Sequence, residues 1–533
     1  MNTQKNPLIN SSHDHDVDNV KKLLVANRPR DALKLLIPLI EDRPDDLDLT
    51  LLLIFIQTKL GLHRKCLDTL NQLIKKNIRD ERIHLYRALN FEALRMNKAA
   101  IESYQDLIKI NPSSAQALNN LGILFQKSRQ TKKALMCIKQ ALDINPNYSP
   151  AFSSRALIFK ELGLYSKAIN AYKKSLELNP EDPVTQNNLA ILFSELGEDG
   201  EAINFFNKSI EISKNYANAY FNKAEHLLKM GNYSEGWDLY EWRWKTRFRK
   251  KKPATKYAEL NLNSDLNGKE ILVYGEGGFG DILMFGRYLN KLNEFNAKIT
   301  VMLPKELLRT FRDSFKNNQF CELETTPPPQ ADFQCSMMSF PKIFGTSLHT
   351  IPSTMPYVSI NSELQNSWNK VIGQSSSIKI GIVWSGNNQR NIDKNPLRSR
   401  SIPISLFAPL FNLPLEFHAL QKELTEDDVN FLISHPNIKT HQTEIEDFSD
   451  TGAIISQMDL IISIDTSIAH LAGALGKPLW VLVPEAHDYR WVTVKERNLW
   501  YSTATIFRKD RFSNWENIIL QVIEKLKLTF NIP

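Results

Sequence analysis

Cysteine is scarce in this chain: Cys66, Cys137, Cys321 and Cys335 stand far apart in 533 residues, and no two form a C-x-x-C pair. That spacing excludes a disulfide framework and a cysteine-based zinc site, and it suits a reducing, cytoplasmic setting. Long apolar runs are also missing. The densest, LTLLLIFI at 49–56, is too short to cross a bilayer, so no transmembrane segment is expected. The first residues, MNTQKNPLINSSHDHDVD, are polar and acidic, unlike a secretory signal. Residues 1–12 are expected to be a polar leader. The HDHDVD tract at 13–18 fits a solvated segment better than a metal site, and no function is assigned to it. The net charge of +7 is mild for this length and does not point to nucleic acid. No D-x-D occurs in the second half, so a magnesium-bridged diphosphate lacks its commonest sequence support and no metal is expected.

What the chain does have is a 34-residue repeat. Pro112, Pro146 and Pro180 keep that interval, each after an asparagine, and so do Gly163, Gly197 and Gly231. Ala100, Ala134, Ala168 and Ala202 follow the same spacing, and Pro44 is in phase, giving seven units over 13–250 without insertion or deletion. Within ALIFKELGLYSKAINAYKKSLELNP, apolar residues recur at helical spacing on both sides of Leu162-Gly163. Glycine permits the positive φ of a helix end, and proline stops the second helix. The pattern resembles the tetratricopeptide repeat, with Tyr104, Ile138, Tyr172, Phe206 and Tyr240 at the bulky position. Ile54 and Cys66 depart from its usually small sites. Stacked pairs of this kind form a superhelix whose concave face binds protein segments. The alternative is that the array only supports or dimerises the other domain.

Seven cations crowd the ten residues 243–252, interleaved with Trp244 and Phe248 and preceded by Trp242. At helical spacing these aromatics are expected to close the end of the array while lysine and arginine face solvent. Contact with an anionic membrane or phosphate is a further option.

Residues 251–267 are expected to be a linker. Beyond them, buried-strand runs alternate with helical stretches, the pattern of α/β domains. Expected strands lie at 271–274 and 299–303, then in IKIGIVWSG, LEFHAL, DLIISI and PLWVLV. An irregular stretch at 341–377 divides two Rossmann-like lobes, 268–375 and 376–533. Their ligands belong at the carboxyl ends of the strands.

Gly275, Gly277 and Gly280 spell G-x-G-x-x-G after the first run, normally a pyrophosphate loop. Yet Asp281 opens the following helix and Glu276 lies inside the loop, and both oppose a dinucleotide. A carboxylate at such a turn suits taking a proton from a hydroxyl, or it simply starts the helix. In DTSIAHLAGALGKP, Thr466 and Ser467 are placed to cap a helix whose free amides and dipole suit a diphosphate. Asp465 is placed to grip sugar hydroxyls and His470 to meet a phosphate oxygen, although a histidine there also fits a packed core. WSGNNQRNIDKNPLRSRSIP offers Ser385, Gly386 and Asn387 as small hydrogen-bonding groups, with Arg398 and Arg400 as cations, or else a solvated basic loop.

Gly280-Asp281, the DTSIAHLAGALGKP block and a basic residue before Ile-Pro resemble the heptosyltransferase-like, ADP-heptose-using glycosyltransferases of GT-B fold. With the repeats attached, the chain resembles bacterial tetratricopeptide-glycosyltransferase fusions, and in architecture O-GlcNAc transferase. The resemblance implies an inverting, metal-independent enzyme using a nucleotide sugar and no other cofactor. It makes Asp281 the general base near Gly277, Gly278 and Gly280. It places Asp465, Thr466, Ser467 and His470 around the donor sugar and diphosphate, and Ser385, Gly386, Asn387 and Arg400 are expected to bind the donor with them. Arg400 stands where the family has lysine, and Lys422, Glu423 or Glu426 is the nearest counterpart to the family's ribose-binding acid. The segment EAHDYRW at 485–491 is expected to line the cleft. The repeats would dock a protein or glycan acceptor. The rival expectation is a non-catalytic scaffold with a degenerate sugar-nucleotide-binding domain.

Overall fold

A computed structural model describes residues 15–246, 255–373, 375–386, 399–494, 497–511 and 513–533. The first half is a run of fourteen helices from His15–Val25 to Tyr233–Tyr240, two to each 34-residue unit. One unit illustrates the construction, with helices Ser149–Glu161 and Tyr165–Leu178. The turn between paired helices is left-handed at one register position throughout: Asn27, Gly61, Arg95, Arg129, Gly163, Gly197 and Gly231 all have positive φ. Glycine fills that position in four units, and asparagine or arginine accepts the strain in three. Ala100, Ala134, Ala168 and Ala202 are fully buried where the two helices approach, and Tyr104, Ile138, Tyr172, Phe206 and Tyr240 fill the space beside them.

The chain divides into two compact units. The first runs to Leu192 with Glu211–Ser213, and the second takes Phe193–Ile210 and Lys214–Pro533. The second unit holds two parallel sheets. In the first, β1 (Ala258–Glu259), β2 (Glu270–Tyr274), β3 (Lys298–Leu303), β4 (Gln319–Glu322) and β5 (Phe333–Ser336) lie in the order β1-β5-β2-β3-β4. The second contains β6 (Lys379–Val383), β7 (Glu416–Ala419), β8 (Ile438–Thr440), β9 (Leu460–Ile464) and β10 (Leu479–Val483). A small antiparallel pair, β11 (Thr493–Val494) and β12 (Arg497–Asn498), precedes its last strand, β13 (Ala504–Arg508). The order β13-β10-β9-β6-β7-β8 is, counted from β6, the 3-2-1-4-5-6 arrangement of a doubly wound sheet. Every residue of β9 and β10 is buried, which is why both appear in the sequence as unbroken apolar runs.

Two expectations about the junction are corrected. Part of the expected linker is inside the fold, because β1 pairs in parallel with β5 at Ala258↔Phe333 and Glu259↔Gln334. The last repeat does not end in an exposed cap. Leu228, Tyr233, Trp237 and Tyr240 share one core with Ile282, Phe285, Tyr489 and Trp500, and Trp237 meets Phe285 and Tyr489 edge-on. Arg243, expected in solvent, is fully buried and paired with Glu241 and Glu276. The rest of the basic run from 247 lies outside the described residues, as does Phe248.

Candidate functional site

The first sheet changes winding direction between β2 and β5, so the loop after β2 opens on a crevice at the carboxyl ends. Gly277, at φ +84°, turns the chain, and any side chain there would collide with the Asp281 carboxylate. That carboxylate folds back over its own helix, Phe279–Gly286: Oδ2 accepts from the Gly278 amide at 2.8 Å. A pyrophosphate would need this position, so the loop satisfies its own helix dipole with an internal anion. Oδ1 of Asp281 takes a hydrogen bond from Arg490. Glu276 is turned the other way. It accepts from Arg243 Nε at 3.0 Å, from Arg243 Nη2 at 2.9 Å and from Ser336 Oγ at 2.6 Å. It is therefore a structural acid that holds the loop against the end of the repeats.

The second sheet reverses between β6 and β9, and the residues beyond those two strand ends are Ser385-Gly386 and Asp465-Thr466. Ser385 is buried, its amide donating to Gln421 Oε1 at 3.1 Å. Asp465 accepts from Arg400 Nη1 at 2.7 Å. Burial alone would raise the Asp465 carboxyl, but the Arg400 guanidinium and then His470 outweigh it and hold the group below the ordinary value. Thr466 is the N-cap of helix Ser467–Ala474 but makes no side-chain cap bond, contrary to the capping role expected for it. Its Oγ1 lies 3.1 Å from Ser463 Oγ instead, so Thr466 covers none of the helix-start amides near Ser467.

His470 joins the two lobes. A Cβ on Gly280 would stand 2.6 Å from its Cδ2, so only glycine lets the Asp281 helix start approach the imidazole this closely. Its Nδ1 pairs with Tyr501 Oη at 2.9 Å, and Nε2 faces Asp465 Oδ1 at 3.8 Å. Burial pushes its pKa down to about 4, only partly offset by Asp465, so the ring is neutral at pH 7. Arg490 bonds Asp281 through Nη2 and Asp488 through Nη1 at 2.6 Å. Despite burial, these acids and the Tyr489 phenol keep the guanidinium firmly charged.

The fold thus brings Asp281, Gly280, Arg400, Asp465 and His470 to one crevice. Lys422 donates from its ammonium to the Ile445 and Glu446 carbonyls at 3.0 and 3.1 Å. Asn387 and Arg398 lie outside the described residues. Arg490 and Tyr501 were missed as individual residues. The signal for Arg490 was its place in EAHDYRW, just past the carboxyl end of β10; Tyr501 had none. Among the described residues no group of three or more histidine, cysteine, aspartate or glutamate side chains is arranged to hold a metal, and no helix is long and apolar enough to cross a membrane.

The tetratricopeptide repeat family matches at residues 115–148, 149–182 and 185–216. Protein FlbA of Caulobacter vibrioides is 23% identical over 335 residues, 58% of this chain and 54% of FlbA, so the chain spans about half the length of this curated relative. A tetratricopeptide repeat protein from Parabacteroides merdae matches 44% of this chain and 93% of its own at 18% identity and a TM-score of 0.38. PilW, a type IV pilus biogenesis factor, matches 39% of this chain and 94% of its own at 21% identity and a TM-score of 0.34. This chain carries tetratricopeptide repeats, followed by an α/β region of two parallel sheets.

Proposed function

We propose that the chain is an inverting, metal-independent glycosyltransferase of GT-B type that moves a sugar from a nucleotide-sugar donor to an acceptor docked by the repeats. One observation carries this reading. A carboxylate anchored at the start of one lobe's helix stands against the switch-point crevice of the other lobe, beside His470, Asp465 and Arg400. Asp281 accepts the proton of an acceptor hydroxyl, whose oxygen attacks the anomeric carbon. The bond from that carbon to the diphosphate breaks, and the nucleoside diphosphate leaves with the electron pair. Fixed cations and the amides at Ser467 stabilise the developing charge, as preorganised donors do. Asp465 suits sugar hydroxyls. Replacing Asp281 by asparagine preserves the Gly278 contact and should lower turnover by about 10²–10⁴-fold while donor binding persists. Unchanged turnover would reject Asp281 as the base.

A second reading has its own support. Asp281 and Asp465 are both engaged by arginines, an arrangement that also suits a binding scaffold without chemistry. A thermal-shift scan with nucleoside diphosphates and their sugars, followed by hydrolysis and transfer assays, separates the two. Binding without turnover on any acceptor favours the scaffold.

A further inference from the structure

Among the described residues of the second unit, Arg243 and Arg287 are buried and Arg490 is mostly so, and the three bond very differently. Arg287 donates from Nε to Met284 O at 2.9 Å, from Nη1 to Trp500 O at 2.8 Å, and from Nη2 to Tyr357 Oη at 3.1 Å. Arg243 likewise engages partners through Nε, Nη1 and Nη2. Both are satisfied on every nitrogen, as buried structural arginines should be. Arg490 differs. Its side chain is 11% exposed, and its buried Nε has no hydrogen-bond partner among the described residues. Its two terminal nitrogens go to single oxygens of two different carboxylates, Asp281 and Asp488, so neither acid uses the fork in a two-bond embrace. His470 provides a second unfinished donor-acceptor group in the same crevice: its side chain is 4% exposed, Nδ1 is held by Tyr501, and Nε2 has no hydrogen bond among the described residues.

We propose that Arg490 is an anion-binding residue whose bond to Asp281 is exchanged for a diphosphate oxygen, so that seating the diphosphate frees the carboxylate. This rests on the transferase reading above. The geometry divides the work between the two oxygens of Asp281. Oδ2 stays on the Gly278 amide and keeps the side chain oriented, while Oδ1 loses Arg490 and becomes free to take a proton. The planar guanidinium suits a diphosphate, which presents adjacent oxygens that a fork can bind together. Base and anion are then coupled: the carboxylate is released only when its replacement is in place, so the donor binds before the acceptor reacts.

The test is calorimetric titration of inorganic pyrophosphate, and separately of ADP, UDP and GDP, into the full chain. The proteins are the unchanged chain, Asp281→Asn, Arg490→Gln and the double variant. Exchange predicts that Asp281→Asn, which removes the competing charge, binds pyrophosphate about threefold or more tightly. Arg490→Gln should bind at least about tenfold more weakly, a loss of about 1.4 kcal/mol, and the double variant should match Arg490→Gln. The nucleotide arms tell whether the diphosphate is read alone or as part of a nucleotide. Pyrophosphate bound equally by the unchanged chain and Asp281→Asn overturns the exchange, and so does an Arg490→Gln variant with undiminished affinity. In either case the transferase reading stands, because the crevice still takes the anion. Failure of every protein to bind any diphosphate overturns both. Should Arg490→Gln not fold, Arg490→Lys, which keeps the charge and loses the fork, replaces it with the same expected direction.

Discussion

Replacing Glu276 by glutamine keeps the shape of the loop and removes one of two charges that hold Arg243. The Arg243 side chain is fully buried, with Glu276 7% exposed and Glu241 25% exposed. Glu276 accepts from Nε and Nη2 of Arg243 and from Ser336, and Glu241 takes Nη1 at 2.6 Å. Breaking a buried pair by removing one partner costs about 3–5 kcal/mol. Here the second acid remains, and glutamine still accepts one bond, so the expected loss is about 2–3 kcal/mol by the same reasoning. Urea denaturation followed by tryptophan fluorescence is a selective assay, because all nine tryptophans lie between Trp237 and Trp515, in the second unit. The midpoint should fall with an unchanged slope. In a cycle with Arg243→Met, the double variant should be less destabilised than the sum of the single changes by about 2 kcal/mol. A loss under about 0.5 kcal/mol, or simple additivity, would refute the claim that this pair clamps the glycine loop to the last repeat.

Acid should destabilise the second unit before its carboxylates titrate. Burial lowers His418, His470 and His487 to about 4. Because the folded state binds these protons less readily than the unfolded chain, stability is full above about 6.5 and falls as the pH drops towards 4, by up to about 3 kcal/mol for each histidine. Melting temperatures that stay flat from pH 6.5 to 4.5 would contradict it. Gly280→Ala puts a methyl group against His470 Cδ2 at 2.6 Å. Overpacking of this kind costs about 1–3 kcal/mol and, by turning the imidazole, should weaken nucleoside-diphosphate binding; unaltered binding would mean the contact has room to relax.

The repeat was legible because it is local. A 34-residue interval in proline, alanine and glycine reports helix ends and helix-helix contacts that lie within one unit, and every unit repeats the same left-handed turn. Central strands such as Leu460–Ile464 were legible for a similar reason, since burial on both faces leaves only apolar side chains. The edge strands Gln319–Glu322 and Ile438–Thr440 were not, because an edge tolerates polar residues and erases the pattern.

Among the candidate site residues, those adjoining strand ends could be picked out by motif, but their partners could not. Glu276 and Asp281 stand five positions apart in one loop, yet one holds Arg243 and the other meets Arg490. Arg400 and Lys422 are both cations beyond strand ends, yet Arg400 pairs with Asp465 and Lys422 with main-chain carbonyls. Which acid takes which base depends on distances through space between segments far apart in the chain. Sequence by itself determined the helical array and the alternation of strand and helix. Tertiary structure alone decided that the last repeat shares the α/β core and that Asp281 folds back on its own helix start and pairs with Arg490, because Coulomb pairing follows spatial proximity rather than order along the chain.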